Sequence, residues 1–149
     1  MGLKERLKED LIASMRSRDE VRTGTIRMVL TAITNEEVAG KEVRILVDAE
    51  IITVLSREAK KRREAAEAFD SAGSKDRAEL ERKEGGIIAE YLPAQLSEAE
   101  LKEMIAAAIT ESGATGPAGM GLVMKALSTK IAGRADGAAV SAAVKAALN

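Results

Sequence analysis

The side chains with the clearest chemical use are cations. Lys125, Lys130 and Arg134 fall within ten residues of one another, and Arg57, Lys60, Lys61, Arg62 and Arg63 form the densest basic run. Both sets are of a type and density that hold phosphate. At Arg134 they would surround the free amides of a helix start, a second source of anion affinity. Each set also has a plainer reading. Glu58–Arg62, Lys60–Glu64 and Arg63–Glu67 are each four residues apart, the spacing at which a helix pairs its own charges. Asp136, beside the turn, would place its own carboxylate on the amides that an anion needs. Phe69 and Tyr91 are the only aromatic residues, so no ring is interleaved with either cationic set to stack a base.

Other chemistry is narrowed by composition. The 149 residues contain no Cys and no His, which removes thiol nucleophiles, disulfides, zinc fingers, imidazole catalysis and the Ser-His-Asp triad. The net charge of −1 provides no global field for nucleic acid or membrane, so any RNA contact must be a local patch. Gly116–Met120 with Gly121 looks like a phosphate loop, yet it follows a helical pattern and lacks the Gly-Lys-Ser/Thr ending. Its glycines suit close packing or a sharp turn. Lys130 lies two residues from Ser128, on another helix face, so no Ser–Lys nucleophile is expected. No spacing among the glutamates singles out an acid–base pair or a metal site. The expectation is no catalytic residue, no metal and no cofactor. The charged start, Met1–Arg6, reads as an amphipathic helix and not as a signal peptide, and no apolar run approaches membrane-spanning length. These features agree with a cytoplasmic location.

The elements that position the cations are all helical. Leu3, Leu7, Leu11, Ile12 and Met15 stripe a first helix. Asp19 can cap a second, striped by Ile26, Val29, Leu30 and Ile33 with Val38 at its edge, and stopped by Gly40. Lys41–Val47 reads as a loop, with strand character in Val43–Val47 but no partner run. Asp48 is expected to cap a long third helix with Ile51, Ile52, Leu55, Ala59, Ala66 and Phe69 on one side, ended by Ala72–Gly73. Ser74 or Asp76 starts a fourth, carrying Leu80, Ile87, Ile88, Tyr91 and Leu92. Gly85–Gly86 falls inside it, at roughly 1 kcal/mol each against alanine, and either softens or divides it.

Pro93 marks the boundary, since it disfavours helix at Leu92. Ser97 and Glu100 form a capping box for a fifth helix with Leu101, Met104, Ile105, Ala108 and Ile109. Ser112–Ala118 is a loop. Met120, Val123, Met124, Leu127 and Ile131 stripe a sixth helix, and Gly133 suits its left-handed end. Asp136 caps an alanine-rich last helix that carries Val140, Val144 and Leu148, with Arg134 at the tip of the connection. The fold class is all-α: a charge-laced four-helix N-terminal unit, 1–93, then a small three-helix tail-like unit, 94–149. Eighteen of the 23 basic residues lie in the first.

Laid out in order, the chain resembles the YqeY-like family. The resemblance rests on Leu3–Leu11, Thr25–Asn35, Arg57–Phe69, Glu90–Ser97 (EYLPAQLS), Gly119–Met124 and Gly133–Asp136, with Arg57–Phe69 and Glu90–Ser97 the most specific. Gly85–Gly86 departs from the charged or aliphatic residues usual there. The resemblance implies two helical subdomains, the second similar to the tail of the aspartyl/glutamyl-tRNA amidotransferase B subunit. In that enzyme the tail region helps to hold tRNA, while ammonia production and acyl activation occur elsewhere. The family carries a label of carbon–nitrogen ligase activity with glutamine as amido-N-donor. This chain has no glutaminase nucleophile and no nucleotide site, so it is not expected to run that reaction alone.

Two functions follow as expectations. The first is a helper or tRNA-binding module using Lys125, Lys130 and Arg134, with Lys60, Lys61 and Arg63 as a second patch, and tRNA or tRNA-charging or amidating enzymes as partners. The alternative is a protein-interaction module with an apolar groove between helical units and no RNA contact.

Overall fold

The computed structural model describes residues 1–149. Every regular element in it is helical, as the periodicity predicts. The chain divides into two compact units, Met1–Leu92 and Pro93–Asn149.

The first unit holds α1 (Leu3–Ser17), α2 (Glu20–Glu37), α3 (Asp48–Ser71) and α4 (Lys75–Ala89). The links before α2 and before α4 are two and three residues, which forces helical hairpins. Asp19 caps α2 as expected, its carboxylate accepting the Arg22 N–H at 3.0 Å. Gly73, at φ 79°, makes the left-handed exit from α3. The core is aliphatic: Leu7, Ile26, Val29, Ile33, Ile51, Leu55 and Ile88 are all but inaccessible. Each contributes about 1.5–3 kcal/mol by burial.

Four expectations are corrected here, and one left open is decided. Asp48 is the first residue of α3, and the preceding Val47 occupies the cap position. The Val47 N–H is instead satisfied by the Glu50 carboxylate at 3.0 Å, half of a capping box. α2 ends at Glu37, before Gly40, and Val38 is exposed. Ile12 and Met15 stand about half exposed, because the packed face of α1 runs through Leu7, Leu11 and Ser14. Leu80 is likewise exposed and Ala78 is the buried residue of that turn. α4 is continuous through Gly85–Gly86. A Cβ on Gly85 would lie 3.5 Å from the Arg62 Cβ, whereas one on Gly86 would meet nothing within 4 Å.

The second unit holds α5 (Glu98–Ser112), a turn of 3-10 helix (Pro117–Gly119), α6 (Met120–Ile131) and α7 (Gly137–Leu148). The Ser97–Glu100 capping box forms with both bonds at 3.1 Å. Ile105, Ala108, Val123, Leu127, Val140 and Val144 make the core. The expected Ser112–Ala118 loop is shorter, since Pro117 and Ala118 belong to the 3-10 turn. A Cβ on Gly119 would sit 2.7 Å from the Ala114 Cβ, so this glycine permits close backbone approach. Asp136 occupies the N-cap position of α7, but its side chain does not accept from the helix amides.

Candidate functional site

The cations singled out by sequence fall on two surfaces, one in each unit. In the second unit, Lys125 and Lys130 are exposed on α6. Lys130 Nζ lies 3.6 Å from a Glu111 carboxylate oxygen, a solvent-screened pair of small energetic weight. Arg134 does not project from the tip of the turn. Its Nε donates to the Ala94 carbonyl at 3.0 Å, and its own carbonyl accepts the Leu96 N–H at 2.9 Å. Gln95 adds a side-chain bond to the Gly133 carbonyl at 2.8 Å. Residues 93–96 are thereby stapled to the α6–α7 corner. The local cause is Gly133, whose φ of 72° turns the chain so that Arg134 faces back.

In the first unit, the basic run lies on α3. Arg62 points inward, its Nε 3.1 Å from Glu84, with Glu81 at 3.7 Å and Glu58 at 3.8 Å from the guanidinium. The expected Glu58–Arg62 rung therefore exists, but Arg62 serves α4 as much as its own helix. Lys61 reaches Glu58 at 3.0 Å and Arg57 reaches Glu36 at 3.6 Å. Lys61 and Arg63 are exposed and Lys60 is half-buried. Glu84 has its carboxyl raised above the ordinary range, first by burial and then by the neighbouring Glu81, with Arg62 opposing.

A polar cluster that the residue chemistry did not single out joins α1, α2 and the end of α4. Tyr91 is buried, and its hydroxyl donates to the Asp10 carboxylate. The Arg6 guanidinium lies 4.7 Å above the Tyr91 ring centre, a cation–π contact. Next to it Arg22 holds Glu90 through two bonds of 2.7 and 3.1 Å, the bidentate fork that carboxylates favour. Ser14, almost fully buried, donates to the Leu11 carbonyl and accepts from Thr23, both at 2.8 Å. Asp19 and Ser17 complete a cleft of about 540 Å³. The Arg22 bond lowers the Glu90 carboxyl, and burial, then the Asp10 bond, pushes the Tyr91 hydroxyl far up. Tyr91 is therefore a neutral donor at ordinary pH and no base. Each charge at the mouth faces an opposite one, so the cluster works as a clamp. Its only sequence signal is that Glu90 and Tyr91 open the specific EYLPAQLS run. The partners lie 68 and 81 residues away, beyond any local spacing rule.

Comparison with known proteins matches this framework. The model of the family described as "Yqey-like protein" covers residues 4–148. A relative from Clavispora lusitaniae (strain ATCC 42720), "Altered inheritance of mitochondria protein 41, mitochondrial", is 33% identical over 101 residues, which is 66% of this chain and 58% of that protein. The chain therefore matches less than two thirds of that relative's length. No helix in the structure is long and apolar enough to cross a membrane. A match running from the first turn of α1 to the end of α7 makes this chain a member of the Yqey-like protein family.

Proposed function

We propose that the chain is a non-catalytic helper that grips folded tRNA through phosphate contacts, in the setting of tRNA charging or amidation. What carries this reading is the pair of exposed cationic surfaces, Lys61 and Arg63 beside Lys60 on α3, and Lys125 and Lys130 on α6 near Arg134. The family resemblance supports it through the tail of the amidotransferase B subunit, which helps to hold tRNA. The carbon–nitrogen ligase label would then belong to an enzyme that the module assists. A cytoplasmic site of action is part of the same proposal.

The test is a tRNA titration at two salt concentrations, with an unrelated folded RNA as control. Neutralising Lys125 and Lys130, or Lys61 and Arg63, should weaken binding at every sequence and lower the salt slope by about one unit for every phosphate no longer neutralised. Arg134→Gln is read beside a thermal melt, because this side chain also staples residues 93–96. Unchanged affinity after both neutralisations removes the reading. A second reading, an RNA-free protein-interaction module, is favoured by an apolar groove of about 530 Å³ between α5 and α7, lined by Ile105, Ile109 and Ala143. A pull-down that survives nuclease treatment and recovers no tRNA would select it.

A further inference from the structure

The turn between α1 and α2 holds the one residue other than glycine in a left-handed backbone, Arg18 at φ 59°. Its N–H donates to the Met15 carbonyl at 3.3 Å and the Asp19 N–H to the Ser14 carbonyl at 3.0 Å, which closes α1. Glycine takes such a position freely, and any other side chain there costs stability. The fold makes no use of the Arg18 side chain, which is exposed and has no ion pair or hydrogen bond.

The residues around it make a surface. Ile12 and Met15, one turn apart on α1, are 51% and 50% exposed. Arg16 stands four residues beyond Ile12 on the same row, and Arg27 of α2 lies across from Met15, with Nη2 3.7 Å from Sδ. Gly24, one turn before Arg27 on the exposed row of α2, has open space where a Cβ would stand, so the main chain is uncovered there. The nearby acids are engaged elsewhere: Asp10 with Tyr91 and Arg6, Asp19 and Glu90 with Arg22. Arg16, Arg18 and Arg27 touch no carboxylate of their own chain. Glu20 belongs to the first turn of α2, and Glu9 stands beside Lys8 a turn before Ile12. The excess of positive charge therefore gathers at the turn.

We propose that this face docks an acidic amphipathic helix of a partner protein. Aliphatic side chains of the partner cover Ile12 and Met15, its backbone comes close at Gly24, and carboxylates on its flank reach Arg16, Arg18 and Arg27. The strain at Arg18 is then the cost of a cation where the helix end would prefer glycine. Apolar and positive groups in one patch need both in the complement. Phosphates would satisfy the arginines and leave Ile12 and Met15 in water, and neither α1 nor α2 carries an aromatic ring to stack a base. The surface is small, so the affinity is on the order of 0.1 mM.

NMR titration of the full chain with a synthetic peptide tests it. The peptide has about 18 residues, enough to hold a helix, with leucine on one face and glutamate on its flanks. Shifts are expected from Ile12 to Thr31, with an affinity that falls as salt rises. Arg18→Gly should raise the melting temperature and still weaken the peptide roughly twofold to fivefold, a split that a structural role would not produce. Met15→Asp should weaken it roughly tenfold, and Ile12→Asp does the same service where Met15→Asp disturbs α1. A peptide with lysine in place of glutamate should not bind. No shifts at millimolar peptide, shifts centred on α5 and α7, equal binding of the lysine peptide, or unchanged affinity in Arg18→Gly overturns the proposal. So does tRNA, or a phosphatidylserine vesicle, that shifts these residues where the peptide does not.

Discussion

The Asp48 carboxylate accepts the main-chain N–H of Leu3 at 3.1 Å, so the first residue of α3 caps the start of α1, 45 positions earlier in the chain. At the start of α3 itself the Glu50 carboxylate accepts the Val47 N–H at 3.0 Å, and the Glu50 and Ile51 amides donate to the Val47 carbonyl. An anionic acceptor at a helix start also complements the helix dipole. Replacing Asp48 with alanine should cost about 1 kcal/mol. Urea unfolding would show a lower midpoint, with amide exchange rising first at Leu3 and the next residues. Glu50→Ala should instead loosen α3.

Tyr91 provides a direct readout of the clamp. It is the only tyrosine and the chain has no tryptophan, so its ionisation can be followed by absorbance without interference. In the folded chain the midpoint should lie well above the ordinary value of 10, and urea should return it there. A raised folded value means that the clamp's contribution is present below the unfolded pKa and lost as pH rises through the folded one. Asp10→Asn should lower the folded midpoint and leave the value in urea unchanged.

Two glutamates should give opposite pH signatures. Glu90 is held low by Arg22, so its contribution is present above the unfolded carboxyl pKa and lost as pH falls through the folded value. Glu84 is raised, so its contribution is present below the unfolded value and lost as pH rises through the folded one. At pH 7, Glu90→Gln should lower the melting temperature, while Glu84→Gln should leave it unchanged or raise it. Melts repeated at pH 4 should narrow both differences.

The glycines in α4 and the 3-10 turn should respond in opposite directions to alanine. Gly86 lies in a continuous helix with open space where a Cβ would stand, so Gly86→Ala should stabilise by about 1 kcal/mol. Gly119→Ala would drive a methyl against Ala114 and should destabilise by about 1–3 kcal/mol. Thermal melts of the two variants should move to opposite sides of the parent.

Local rules carried the helices a long way. The stripe through Ile26, Val29 and Ile33 and that through Val123, Leu127 and Ile131 are the buried faces the period marks. Asp19, Gly73, Ser97 and Gly133 sit at helix ends because their chemistry suits those ends. Leu80 misled because apolar type is only half of a stripe. It lies two residues from the buried Ala78, about 200° around the helix. Asp48 misled because a carboxylate serves any nearby amide, and the nearest was on another element. The Arg22–Glu90 fork and the Tyr91–Asp10 bond were invisible for the same reason. Their partners meet only after α1, α2 and α4 have packed, and a linear spacing rule holds no trace of that.

The aliphatic core has a spectroscopic consequence. Phe69 and Tyr91 both belong to the first unit, so near-ultraviolet signals are blind to everything after Leu92. Far-ultraviolet circular dichroism, in contrast, sums helices from both halves. Overlaying the two melting curves separates the halves without a label or a truncation: coincident curves mean one cooperative block, and a lag between them means that the alanine-rich half melts on its own schedule.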